Sequence, residues 1–309
     1  MGVTSNPLES SNQVFAQDKD FWNHYLKGRP SVPPQFFSRL FAYHSSRSNG
    51  FVTAHDVGAG NGPYSATLRS KFSHVIVSDI APDNVRFAEA RLGTDGYSYR
   101  ASRVEDVDDI PPGSVDMVFA TNVLHFCDQD VAMASIARQL RSGGTFACAA
   151  FGAARFDDER VQQLYTKLGQ VGARELLKTL SDSEKLVQAM ARTKGAYNVA
   201  PLDAELWRPG AQRIHLNMPP EGMTSPLPPE IQVEEPVYAG VDDVAIFEEE
   251  EGWGFVMDLA GVREHLESFP FGRDSGKEFA ELWGEIEKIV GNGSVRGHWP
   301  AKVILATRR

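Results

Sequence analysis

A chain of 309 residues, 42% of them hydrophobic and carrying a formal charge of −10, is long enough to bury one substantial core. With 41 acidic against 31 basic side chains there is no general phosphate-binding face, so nucleic acid is excluded as an expected partner. No apolar run approaches the roughly 18 residues of a membrane span, and the first residues lack a charged-then-apolar leader, so a soluble, cytoplasmic protein with no membrane partner is expected. Oligomeric state is not readable.

Met1-Gly2 invites a myristoylation reading, but that motif wants Ser or Thr where Asn6 stands. The two cysteines, Cys127 and Cys148, lie in apolar surroundings and read as packing residues, and no metal site is expected. The first 50 residues contain an aromatic segment, Phe21-Trp22-Asn23-His24-Tyr25-Leu26-Lys27-Gly28-Arg29-Pro30, followed by an apolar helix around Phe36, Phe37, Leu40 and Phe41.

A strand over Phe51–His55 then runs into Asp56-Val57-Gly58-Ala59-Gly60-Asn61-Gly62, and helical spacing resumes over Tyr64–Leu68. Glycines at such a turn permit positive φ and close approach of backbone N–H groups to a ligand, and the helix behind adds partial positive charge. Dinucleotide sites read G-x-G-x-x-G, whereas here the spacing is acid-x-G-x-G-x-G. A second strand, His74–Asp79, ends in an acid about where doubly wound sheets place the carboxylate that accepts ribose hydroxyls. Asp79 is therefore the expected ribose ligand, with a helix N-cap near Pro82 as its plain structural alternative.

A third strand spans Tyr97–Ser102, a fourth Val115–Thr121 and a fifth Gly143–Phe151, each separated by helical sequence. The order predicts an α/β fold with a doubly wound, mostly parallel sheet, here of seven strands, in a Rossmann-like arrangement. Ligands in such sheets collect beyond the carboxyl ends of the strands, which gathers Gly58, Gly60, Gly62, Asp79, Glu105 and Asn122 into one crevice. The expected division is N-terminal helices over 1–50, a core over 51–155, a lid and substrate region with a sixth strand over 156–270, and a closing helix and seventh strand over 271–309. Helical spacing from Phe156 to about Thr193 supplies the lid helices, and Arg213–Leu216 and Lys302–Thr307 the last two strands. The stretch from Pro219 to Pro236 reads as an extended surface loop, and Glu248–Glu251 as a solvated acidic edge.

The acid-x-G-x-G-x-G loop resembles that of the class I S-adenosylmethionine-dependent methyltransferases. That resemblance implies S-adenosylmethionine as cofactor, with Asp56 near its methionine amino group and adenine read around Val104 and Glu105. The usual acid of that last contact falls on Arg103, so the Val104 backbone, Glu105 and Asp106 all remain open. The Tyr25-x-x-x-Arg29-Pro30 segment resembles methyltransferases related to trans-aconitate methyltransferase, in which the N-terminal region covers the cofactor. Tyr25 and Arg29 would then cap it and bind its carboxylate, for which a guanidinium fork is suited. Relatives often carry a His-aromatic pair after the fourth strand, and His125-Phe126 stands there. His125 would face the methyl group and act as catalytic base or only position the acceptor, its plain alternative being a buried packing residue. The expected activity is methylation of a small organic molecule, on a carboxylate or hydroxyl oxygen. A methyltransferase-like cyclase using the intact sulfonium is the alternative, and a non-catalytic cofactor-binding regulator a lesser one.

Overall fold

The computed structural model describes residues 19–47, 50–272 and 276–309, so the Met1-Gly2 reading lies outside the described residues. Helices α1 (Lys19–Gly28) and α2 (Pro34–Ser45) precede a regular alternation of strands and helices. It runs β1 (Thr53–Val57), α3 (Ser65–Arg69), β2 (His74–Asp79), α4 (Pro82–Leu92), β3 (Tyr97–Ala101), β4 (Val115–Thr121), α5 (Gln129–Gln139) and β5 (Leu140–Phe151). A short strand β6 (Arg155–Phe156) leads into helices α6 (Glu159–Thr179) and α7 (Glu184–Arg192). The chain closes through β7 (Gln212–Leu216), β8 (Val244–Glu248), β9 (Gly254–Met257), α8 (Leu259–Glu267), α9 (Lys277–Val290), β10 (Val295–His298) and β11 (Ala301–Thr307).

The main sheet has the order β3-β2-β1-β4-β5-β11-β7-β8. Strands β1 to β5 are mutually parallel, and β11 is antiparallel to both β5 and β7. The sequence reading gave seven strands; the eighth is β8, which pairs in parallel with β7 at the edge. A separate antiparallel sheet, β6-β10-β9, was also not foreseen, because strands of two to four residues carry too little periodicity to register.

The central strands are buried on both faces, as parallel strands covered by helices must be. On β4, Met117 and Phe119 enter one core cluster while Val118 and Ala120 enter the other. Helix α2 seals the first cluster: Phe36 and Leu40 are fully buried, and the Phe36 ring meets Phe151 at 5.5 Å and Trp253 at 5.9 Å. Arg39 fixes that helix to Glu248 at 2.6 Å and Glu250 at 2.8 Å. Glu250 also accepts a hydrogen bond from Trp253 Nε1 at 2.8 Å. The acidic edge is therefore a clamp for the N-terminal region rather than merely a solvated run.

At the opposite end of the sheet, fully buried Asp116 accepts from the amides of Val52 at 3.1 Å and Thr53 at 2.8 Å and pairs with Arg141 at 2.7 Å. It ties the start of β1 to β4. Asp116→Ala leaves two amide donors without a partner and is expected to cost at least about 1–3 kcal/mol, read as a lower urea midpoint. An unchanged midpoint would show that the carboxylate does not anchor β1.

Candidate active site

The sheet reverses its winding between β1 and β4, and a cavity of about 340 Å³ opens beyond the carboxyl ends of the strands there. The loop after β1 forms its floor. Gly58 and Gly60 have φ of +61° and +58°, and a Cβ added to either would come within 2.2 Å of Val123 or 2.3 Å of the Trp22 ring. Only glycine satisfies both conditions. Gly62 also has positive φ, but it stands off the cavity wall: its Cβ would strike Leu92 at 2.8 Å, and Arg91 donates to its carbonyl at 2.7 Å. In this structure it packs the loop on α4 and is not among the residues that line the cavity.

Asp79, at the end of β2, accepts from Gly60 N at 2.8 Å, Ala81 N at 2.9 Å and Asn84 Nδ2 at 3.0 Å. Asn84 Oδ1 in turn accepts from Trp22 Nε1 at 2.9 Å, which holds the indole over the loop. Burial pushes the Asp79 carboxyl up, opposed by these three donors. Asp56, at the end of β1, accepts from Ser65 Oγ at 2.6 Å and is pushed up to about 7 by burial, against the Ser65 bond and with the nearby Asp79 adding to the rise.

Val104 and Glu105 lie on the wall beyond β3, whereas Asp106 is exposed and outside it. The Glu105 carboxylate already accepts from Arg103 at 2.9 Å and from the Asp128 amide at 3.0 Å. The arginine that stands where the sequence reading looked for an acid is thus paired with Glu105. Asn122, with φ +52°, accepts from Phe151 N at 2.9 Å through Oδ1, and its Nδ2 is buried without a partner. Asparagine is among the few side chains that tolerate that backbone.

Tyr25 and Arg29 close the cavity from α1 and its C-terminal end. The Arg29 guanidinium lies 3.9 Å from the Phe269 ring centroid and 4.8 Å from that of Tyr25, donates to Ser268 O at 3.1 Å, and has no carboxylate partner among the described residues. A buried histidine, His265, fastens this lid: Nδ1 meets Gly28 O at 2.7 Å, while Nε2 accepts from Ala154 N at 3.0 Å. The far half of the cavity is walled by Tyr165 and Gly169 of α6, Leu186 and Met190 of α7, the segment Met223–Pro226, and the stacked pair Phe269 and Phe271. The proline-rich stretch is consequently part of the wall and not only a surface loop. Its contribution was hidden because irregular segments carry no period to show what they face.

His125 is buried on the wall, with Nδ1 2.9 Å from the Tyr197 hydroxyl. Burial, with Arg192 and Arg29 adding to it, pushes the imidazole down to about 3. Cys127 and Cys148 are free and buried, and burial pushes both thiols up, Cys148 to about 12.

The cavity suits the cofactor that the sequence implied. Arg29 Nε, Ser102 Oγ, Thr121 Oγ1 and Asn122 Nδ2 face it as buried polar atoms with no partner among the described residues. Unpaired buried groups at a site are what a polar ligand would satisfy. Residues 55–148 match the methyltransferase domain family. The chain is 65% identical over 302 residues to methyltransferase AacuQ of Aspergillus aculeatus, covering 98% of this chain and 97% of that one. It is 52% identical to methyltransferase tpcM of Aspergillus fumigatus, covering 99% and 97%. A solved putative type II methyltransferase from Anaeromyxobacter dehalogenans shares the fold, with TM-score 0.52, 18% identity and coverage of 90% and 97%. The chain belongs to the class I S-adenosylmethionine-dependent methyltransferases, and S-adenosylmethionine is its cofactor.

The raised Asp56 carboxyl has a consequence for binding. Between about pH 4 and about pH 7 the folded chain holds a proton there that the unfolded chain has lost, so this group's contribution to stability falls as pH rises through that window. A ligand that brings a cation beside Asp56 must displace that proton. S-adenosylmethionine affinity, measured calorimetrically, is therefore expected to rise by up to about tenfold per unit from about pH 5.5 to about pH 7 and then level off. Asp56→Asn should flatten the profile; a flat profile in the unaltered protein would remove Asp56 from the binding site.

Proposed function

We propose that the enzyme methylates an oxygen atom of a small, largely apolar organic molecule, a carboxylate or a hydroxyl. The observation that carries this reading is how few carboxylates the cavity wall holds. The acidic wall residues are Asp56, Asp79 and Glu105, all at strand ends on the loop side. The rest of the wall is basic or neutral: Arg29, Arg103, exposed Lys185 and His125, beside aromatic and aliphatic side chains. An amine acceptor is a cation at neutral pH and would call for a carboxylate near it, whereas an oxygen acid is already ionised or easily made so. The Phe269–Phe271 stack, at 4.9 Å and 20°, suits the flat face of such a molecule.

In this reading Asp79 takes the ribose hydroxyls, Asp56 the methionine ammonium, and Arg29 with Tyr25 the methionine carboxylate. Val104 and Glu105 border the adenine, and Gly58, Gly60 and Asn122 shape the pocket floor. The helical region after β5 forms the substrate lid. The cofactor supplies a methyl carbon on a positively charged sulfur. The chain's part is alignment and exclusion of water, and holding reactants in line is worth on the order of 7–11 kcal/mol.

Incubation with methyl-labelled S-adenosylmethionine and a panel of aromatic acids, phenols and amines tests the proposal. Label is expected in acids or phenols, with one S-adenosylhomocysteine released per product. Label confined to amines would sink the oxygen reading, and a rearranged product with the cofactor intact would establish the cyclase alternative. Asp79→Ala is expected to remove charge-assisted hydrogen bonds worth about 1.5–3 kcal/mol and so weaken cofactor binding by about 10- to 150-fold.

A further inference from the structure

Three non-glycine residues among those described have positive φ, and two of them, Asn122 and Tyr197, line the cavity. Tyr197, at φ +50° and 2% exposed, is an unusual occupant, since aromatic side chains seldom take that conformation. Backbone held in this way gathers where a side chain must be placed exactly where packing alone would not leave it. What the conformation places is a hydroxyl 2.9 Å from His125 Nδ1, with the two rings edge to face at 5.7 Å and 71°.

Two proton arrangements satisfy that distance. If Nδ1 carries the proton and donates to the tyrosine oxygen, the Tyr197 proton needs another acceptor, and none contacts this hydroxyl among the described residues. A buried donor would then be left unpaired, which folded proteins avoid. If instead the hydroxyl donates to Nδ1, the tyrosine proton is paired and the ring proton sits on Nε2. Nε2 itself has no partner among the described residues, on a ring that lines the cavity.

We infer that Tyr197 is a positioning residue that fixes His125 as the Nε2–H tautomer, so that the imidazole offers the acceptor a hydrogen-bond donor and not a general base. The inference rests on the oxygen-acceptor reading above and narrows it to acceptors that enter already ionised, such as carboxylates and acidic phenols. The donor holds the acceptor through one lone pair and leaves another for attack. The acceptor oxygen forms the new bond to the methyl carbon as the carbon–sulfur bond breaks, its electron pair staying on sulfur, and no proton is transferred.

The surroundings agree. Arg192 donates to the carbonyls of His125 at 3.3 Å and Cys127 at 3.0 Å, and is itself held by Glu235 at 2.6 Å. Arg29 lines the same cavity from the lid. With two cations and no carboxylate acting on it, the imidazole stays neutral and weakly basic. A weak base contributes little to proton abstraction.

Nitrogen-15 NMR of the full-length protein labelled at histidine tests the tautomer without any turnover, so its outcome is independent of the acceptor. The His125 signals are identified by their loss in His125→Gln or their change in Tyr197→Phe. A pyridine-type Nδ1 and a pyrrole-type Nε2 are expected, giving way to a mixture of tautomers in Tyr197→Phe; a pyrrole-type Nδ1 in the unaltered protein overturns the inference. Kinetics of His125→Gln give a second reading, because the glutamine amide places an N–H near the Nε2 position but cannot act as a base. With cofactor affinity unchanged, a fall in kcat smaller than about 10²-fold is expected, and a larger one, in the 10²–10⁴ range of a general base, overturns it.

Discussion

The site depends on one ring of three hydrogen bonds closed by a packing contact. Asp79 grips the Gly60 amide and the Asn84 side chain, Asn84 grips the Trp22 indole, and the indole lies against Gly60. The carboxylate at the end of β2 thereby fixes the glycine loop after β1, the first turn of α4 and the lid helix α1 at once. Its geometry leaves no room for a Cβ at Gly60 and no freedom for the indole. An acid read from the sequence as a ribose ligand is also the joint on which the cofactor end of the cavity is assembled.

A second joint acts at the other side of the lid. His265 bonds Gly28 of α1 and Ala154 beyond β5 while its ring stacks on Tyr165 of α6 at 5.4 Å and 7°. Burial and the neighbouring Arg29 push it down to about 3, with the Gly28 bond opposing them, so it serves as a neutral two-ended connector. Between these joints the cavity divides by charge. The carboxylates of its wall are those of Asp56, Asp79 and Glu105, and the rest of the lining is neutral or basic.

The parts that were legible in the sequence are those governed by short-range rules. The strands from Thr53 to Phe151 showed themselves through continuous apolar runs and glycine turns, and Asp56, Gly58, Gly60 and Asp79 through their spacing along β-α-β units. Gly62 shares that spacing yet packs against Leu92, because a motif records what the loop needs without separating contact with a ligand from contact with a helix. Strand β8 escaped notice because its side chains are mostly exposed and no apolar period marks it. Glu250 looked like one of four solvated acids; only the approach of Arg39, 211 residues away in the chain, together with the neighbouring Trp253 indole, distinguishes it.

The sequence by itself determined the fold class, the cofactor and the acids at the strand ends, since each follows from residues within one turn or one crossover of each other. Tertiary structure alone decided which surfaces meet across the cavity: the indole over Gly60, the Met223–Pro226 segment in the wall, and Tyr197 behind His125, 72 residues away. The state of that histidine follows from burial, two distant arginines and a tyrosine held at positive φ. None of these is encoded near position 125, because desolvation and proton placement are properties of a packed environment and not of a local pattern.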